Sequence, residues 1–317
     1  MSSTDDAVQA RINQDWAFEP YIGALIEHER EAVEEMMATL LKGKSSMPSE
    51  YDLDPSAPAA KALQEEYLRQ SDIARHLSGA KLELAYGPHP RQKLDVFSAG
   101  PEAPVIIFFH GGYWAAGSKD ARRFPAPEWK KHGVSWVAVN YRLTPGNTLA
   151  DCVADARSAT TWITKCANTL GLKRDALHVV GNSAGAHLAA MVSAANWSQR
   201  PKICSLGVIS GLFDLSPLLR TTSQDWLRLT SKTAFELSPI AHLPPPDMPV
   251  LIGWGGFETQ AFADQSHLYA EHCRKAGNPT KVFTSPSADH FKIIGEFGTP
   301  GTPVFDLLLK QVLSEKN

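Results

Sequence analysis

Two hydrophobic periods run through the chain, and one gives way to the other near residue 80. From Tyr21 to Lys44 the apolar positions Ile22, Leu25, Ile26, Val33, Met36, Met37, Leu40 and Leu41 recur mostly three or four residues apart, which is the spacing of one face of an α-helix. Gly43 and Pro48 close that pattern, and Ser45 to Pro58 reads as a proline-bearing loop. A second helix is predicted over Ala59 to Leu77, with Leu63, Tyr67, Ile73 and Leu77 facing inward. Beyond it the pattern shortens. Lys81 to Tyr86 and Lys93 to Phe97 alternate, with the polar turn Gly87 to Arg91 between them, and predict a hairpin. Val105 to Phe109 and Val134 to Asn140 are continuous apolar runs, followed by Leu177 to Val180, Ile203 to Ile209, Val250 to Ile252 and Lys281 to Thr284. Helical stretches separate them: Asp151 to Leu170, Ser183 to Ala195, Gln260 to Ala276 and Pro303 to Leu313.

Short, wholly apolar strands alternating with helices predict an α/β fold, a mostly parallel sheet covered on both faces. Ligands of such sheets bind beyond the carboxyl ends of the strands. Residues 1–80 are expected to form a helical extension that caps a binding cleft, builds a homodimer interface or packs plainly onto the core. Residues 81–317 form the α/β body, with 211–248 breaking the alternation as a small cap or lid insertion.

Composition narrows the class. The 317 residues are 43% hydrophobic and carry a net charge of -3, which suits one large globular domain, with or without an appendage. No basic stripe invites nucleic acid, and no apolar run reaches the length of a membrane span. The polar N-terminus lacks a signal core. Cys152, Cys166, Cys204 and Cys273 stand apart without a C-x-x-C pair, as free thiols of a reducing compartment do. A cytoplasmic location is the expectation, and a core of this size needs no metal for stability.

The chemistry centres on Gly181-Asn182-Ser183-Ala184-Gly185. This G-x-S-x-G follows an apolar strand and opens an apolar helix, the setting of a nucleophile elbow. The serine sits on a tight turn, so the residues two away on either side must be small. A serine hydroxyl needs a base, and the base needs an orienting acid. His290 lies just after the final strand and is the candidate base. The acid is expected after the preceding strand; the loop Gly253 to Gln260 holds one carboxylate, Glu258. Asp214 follows a different strand, Asp264 falls within the next helix, and Asp289 adjoins the histidine too closely to fold back onto its ring. The oxyanion donors are assigned to the backbone of Gly112, Tyr113 and Ala184, with Gly111 supporting the turn and His110 fixing the loop. Tyr113, Trp114 and Trp254 are candidates for an aromatic substrate pocket.

His110-Gly-Gly-Tyr-Trp114, Asn140-Tyr-Arg-Leu143, Gly181-Asn-Ser-Ala-Gly-Ala-His187, Gly211-Leu-Phe-Asp-Leu215, Glu258-Thr-Gln-Ala-Phe262 with Gln265-Ser266, and His290-Phe291 together resemble the α/β-hydrolases, and more narrowly the kynurenine formamidase (arylformamidase) family and its esterase relatives. The resemblance implies hydrolysis of an aryl formamide without a cofactor, with nucleophile, acid and base on Ser183, Glu258 and His290. Asn182 stands where such formamidases often carry histidine. A small aromatic amide or ester is therefore the expected substrate. The alternatives are a general short-chain carboxylesterase, an aryl-amide or carbamate hydrolase, and a non-catalytic binding protein of this fold, which a broken triad would favour.

Overall fold

The computed structural model describes residues 50–197 and 201–314. The helix expected over Tyr21 to Lys44 lies outside the described residues. Eight strands form one sheet: β1 (Ala80–Ala85), β2 (Lys93–Phe97), β3 (Val105–Phe109), β4 (Ser135–Val139), β5 (Leu177–Asn182), β6 (Ile203–Ile209), β7 (Val250–Gly255) and β8 (Thr280–Ser285). Their order is β1-β2-β4-β3-β5-β6-β7-β8. β1 and β2 form the predicted hairpin, β2 runs antiparallel to β4, and every other pairing is parallel. The described helices are α1 (Pro58–Ala74), α2 (Ala126–Lys131), α3 (Leu149–Leu170), α4 (Ala184–Ser193), α5 (Gln224–Leu227), α6 (Ser231–Glu236), α7 (Gln260–Lys275) and α8 (Pro303–Leu313).

Every residue of β3, β4, β5 and β7 is buried, as the uninterrupted apolar runs require of strands covered on both sides. Successive side chains leave a strand on opposite faces. Ile106 and Phe108 therefore share one face with Trp136, Ala138 and Val180, where Trp129 of α2 and Phe305 and Leu308 of α8 close over them. α3 is delimited as its sequence suggests: a Thr148/Asp151 capping box opens it and left-handed Gly171 ends it.

Leu94 to Phe97 of β2 are all buried, with Asp95 in an ionic cluster. One expectation about exposure is corrected. In α1 the buried residues are Ala60, Tyr67, Ser71 and Ala74, whereas Ile73 is 63% exposed. The buried set follows a helical stripe one step out of phase with Ile73. Tyr67 meets Phe124 and Ile294, with Leu63 beside them, and fastens α1 to the body.

Parallel register decides what emerges where. Phe109 pairs with Gly181, Asn182 with Ile209, Ile209 with Gly253, and Gly255 with Ser285. The segments that follow β3, β5, β6, β7 and β8 thus leave the sheet side by side at its carboxyl edge. Between β6 and β7, residues 211–248 carry 3₁₀ turns at Ser216–Arg220 and Pro239–Ala241 as well as α5 and α6. Gln265 of α7 clamps the start of this segment: its Oε1 accepts the N–H groups of Phe213 and Asp214 and its Nε2 donates to the Asp214 carbonyl, each at 2.8 Å.

Candidate active site

Ser183 joins β5 to α4 with φ 54° and ψ −125°, a conformation that side-chain-bearing residues adopt only under strain. The neighbours explain how the chain turns so tightly. A Cβ on Gly185 would lie 2.0 Å from the Phe109 carbonyl oxygen, and one on Gly181 would lie 2.2 Å from that of Gly185. The strand, the turn and the next strand are in backbone contact, and only glycine fits. Ser183 N–H donates to the Ile209 carbonyl at 2.8 Å, which ties the turn to β6.

His290 lies beyond β8, with its Nδ1 at 2.8 Å from Glu258 Oε2. The Glu258 side chain is fully buried and that of His290 is 7% exposed. The carboxylate is held from its other oxygen as well. Glu258 Oε1 accepts the Gly255 N–H at 2.7 Å and the hydroxyl of Ser210 at 2.5 Å. Ser210 follows β6 and has φ 54°; it is a part of the site that the sequence reading missed. The rival carboxylates are engaged locally: Asp214 accepts the N–H of Ser216, Asp264 the amide of Gln260, and Asp289 the N–H groups of Phe291 and Lys292. With Nδ1 facing the carboxylate, Nε2 is the ring nitrogen left outside that contact.

The loop after β3 bends over Ser183. Gly112 has φ 117°, and Tyr113 and Trp114 have φ 51° and 54°. Among the described residues the backbone N–H groups of Gly112, Tyr113 and Ala184 donate to no protein acceptor, while Gly111 N–H is taken by Asn182 Oδ1 at 3.2 Å. Asn182, noted from sequence only as a departure, therefore holds the loop to the elbow. His110 stacks on Tyr141, with ring centroids 4.4 Å apart, and its Nδ1 meets the Gly111 carbonyl at 2.7 Å. Burial pulls it down to about 3. It is a neutral structural ring, in keeping with the loop-fixing role expected of it.

Ser183 and His290 line one cavity of about 310 Å³, at the small end of the range for ligand sites. Tyr113 lines it too. Trp114 and Trp254 do not. Trp114 is wholly buried and packs edge-on against His187. The apolar run suggested that β7 stops at Ile252, but the strand reaches Gly255, so Trp254 obeys strand alternation and packs under α7 against His267. The indole in the wall is Trp226, from α5, and its Nε1 donates to the Tyr113 carbonyl at 3.1 Å. Leu53, Phe291 and Ile294 add apolar surface, and Arg122 reaches the wall from the 3₁₀ turn Lys119–Arg122. The Tyr113 hydroxyl donates to the Tyr51 carbonyl.

The described residues that could share a metal ion are Glu83, Asp95 and Asp120. Cations of the chain already fill that group: Lys119 Nζ lies 3.1 Å from Asp95 and Arg123 Nε 2.6 Å from it. The four cysteines are free thiols. No described helix is long and apolar enough to cross a membrane.

A family model described as BD-FAE matches residues 94–216, from β2 past the elbow. Over 254 residues the chain is 32% identical to kynurenine formamidase from Danio rerio, covering 76% of this chain and 85% of that protein. Kynurenine formamidase from Salmo salar is 31% identical over 255 residues with the same coverage. The chain belongs to the kynurenine formamidase family. Its fold is that of the α/β-hydrolases. The hyperthermophilic esterase from the archaeon Pyrobaculum calidifontis superposes with a TM-score of 0.64 at 18% identity, covering 92% of this chain and 97% of that one. Membership of that family makes this protein a hydrolase of the amide- and ester-cleaving kind. The segments that carry the family resemblance converge at the carboxyl edge of the sheet: the loop His110 to Trp114, the elbow at Ser183, and the Glu258–His290 pair.

Proposed function

We propose that this protein is a serine hydrolase that cleaves a small aryl formamide through an acyl-enzyme. The observation that carries the reading is the buried Glu258–His290 contact beside a strained Ser183, with Ser183 and His290 opening into one cavity. His290 Nε2 takes the hydroxyl proton as Ser183 Oγ attacks the carbonyl carbon. The negative charge on the carbonyl oxygen is received by the N–H groups of Gly112, Tyr113 and Ala184, each such donor being worth about 3 kcal/mol in the transition state. Glu258 holds the ring in its tautomer and stabilises the imidazolium. The imidazolium then gives its proton to the departing arylamine, and the C–N bond breaks to leave a formyl ester on Ser183. Water, deprotonated by His290, attacks that ester and releases formate. The apolar wall of Trp226, Phe291 and Ile294 suits the aryl group.

The test is kcat/KM on N-formylkynurenine beside p-nitrophenyl acetate, for the wild type and for Ser183→Ala. The formamide is expected to be preferred, and both activities should fall at least about 10⁴-fold in the variant. Ester turnover with little formamide turnover would move the protein to the esterase branch. Near-normal activity of Ser183→Ala would end the model.

A further inference from the structure

Among the described residues, no aspartate, glutamate or lysine lines the cavity; Arg122 is its one fixed charge. Arg122 is only 8% exposed and forms no ion pair with any described carboxylate. Its Nη1 donates to the Ala121 carbonyl at 2.7 Å, its Nε has no partner, and its Nη2 donates to no described acceptor. The guanidinium lies 6.0 Å from the centroid of the Tyr67 ring. That ring is itself anchored, since its hydroxyl donates to the Phe291 carbonyl at 3.1 Å. Burial lowers Arg122 to about 10, so it stays charged at neutral pH. A buried, unpaired charge is costly; the next residue, Arg123, meets that cost with Asp95, Asp120 and Glu83.

We infer that Arg122 binds a carboxylate on the substrate and thereby selects formamides whose amine portion carries an acidic side arm. The inference rests on the formamidase reading, because a formyl group has no room for a charge, and any anion must belong to the leaving amine. Nε is enclosed, and Nη2, which has no described acceptor, is the nitrogen left to donate a charge-assisted hydrogen bond to a carboxylate oxygen in the cavity. The guanidinium sits on the cavity wall while Ser183 attacks elsewhere in the same space, so it acts on binding and placement and takes no part in proton transfer.

The experiment compares 4-(2-formamidophenyl)-4-oxobutyrate with its methyl ester, which has the same formamide and no charge. A charge-assisted contact predicts a preference for the acid of about 10- to 100-fold in kcat/KM, expressed mainly in KM. In Arg122→Gln the acid-to-ester ratio should fall to within about 3-fold of unity, and Arg122→Lys should keep part of it. Equal kcat/KM for acid and ester in the wild type would overturn the inference even if no variant folded, and so would an unchanged ratio in Arg122→Gln. Calorimetric titration with 4-(2-aminophenyl)-4-oxobutyrate and its methyl ester reads recognition without turnover. Preferential binding of the acid with no hydrolysis of either formamide would remove the formamidase reading and leave the carboxylate site. Hydrolysis of both formamides with no preference would do the reverse.

Discussion

Two buried charged regions lie within a few residues of each other in sequence and answer to opposite demands. Beneath the β1–β2 hairpin, Asp95 is fully buried, accepts the Glu83 N–H at 2.8 Å, and is matched by Lys119 and Arg123, with Asp120 and Glu83 completing the cluster. Each charge there has a partner. In the cleft, one residue from Arg123, the guanidinium of Arg122 has no carboxylate, backbone N–H groups have no acceptor, and Ser183, Tyr113, Trp114 and Ser210 all sit at φ between 51° and 54°. The difference shows where the fold completes itself and where it leaves valences open. A region that closes its own contacts supplies stability, and a region that leaves them open spends stability on a ligand.

That contrast predicts that changes in the cleft alter turnover with little loss of stability, while changes in the cluster do the opposite. The largest effect is expected from Ser183→Gly. Turnover should disappear, yet the urea midpoint should rise, by about 1 kcal/mol in stability, because glycine adopts the turn without strain. A fall in stability would mean that the strain is not located at Ser183. Next, Glu258→Gln should lower kcat by about 10³- to 10⁴-fold, through the wrong imidazole tautomer, with thermal melting little changed. A mild kinetic effect would move the acid elsewhere. Asp95→Asn should act in the reverse sense. It leaves Lys119 and Arg123 short of a partner and should cost about 3 kcal/mol in chemical denaturation, while kcat/KM of the folded fraction holds. A kinetic loss without destabilisation would break the comparison.

A last effect, read through pH, concerns buried neutral rings. Burial holds His110 at about 3 and His178 and His187 at about 4, against an ordinary 6.5. Below pH 6.5 the unfolded chain takes up protons at these positions and the folded chain does not. Stability is therefore full above pH 6.5 and declines toward pH 4, by up to about 1.4 kcal/mol per pH unit for each ring. Melting temperatures measured between pH 7 and pH 4.5 should show this decline, and His178→Gln should flatten it. An identical slope in that variant would remove His178 from the rings that set the decline.

The strands were legible because continuous apolar runs have few alternatives in a parallel sheet, and register then follows from the alternation of faces. The elbow was legible because its constraint is local, two small residues around a serine. That Glu258 and His290 meet was legible from their place after successive strands. Ser210 was not, since a serine after a strand looks like any other, and its role depends on a carboxylate that is near only in three dimensions. Trp114 and Trp254 were misplaced for the converse reason. Their chemistry suits an aromatic pocket, but a left-handed backbone at Trp114 and one more turn of strand alternation at Trp254 aim both indoles away from it. Trp226 took that position from a four-residue helix, α5, too short to announce itself as a pattern.

The cavity is assembled from two kinds of material. The proposed reacting groups, Ser183, Glu258 and His290, follow strand ends whose register is locked across the whole sheet, whereas Leu53, Arg122, Trp226 and Ile294 come from segments outside it. The mould is thus separable from the tool. A descendant, or a designer, can recast the shape and charge of the substrate chamber by rewriting four peripheral segments and leave the cutting edge as it stands.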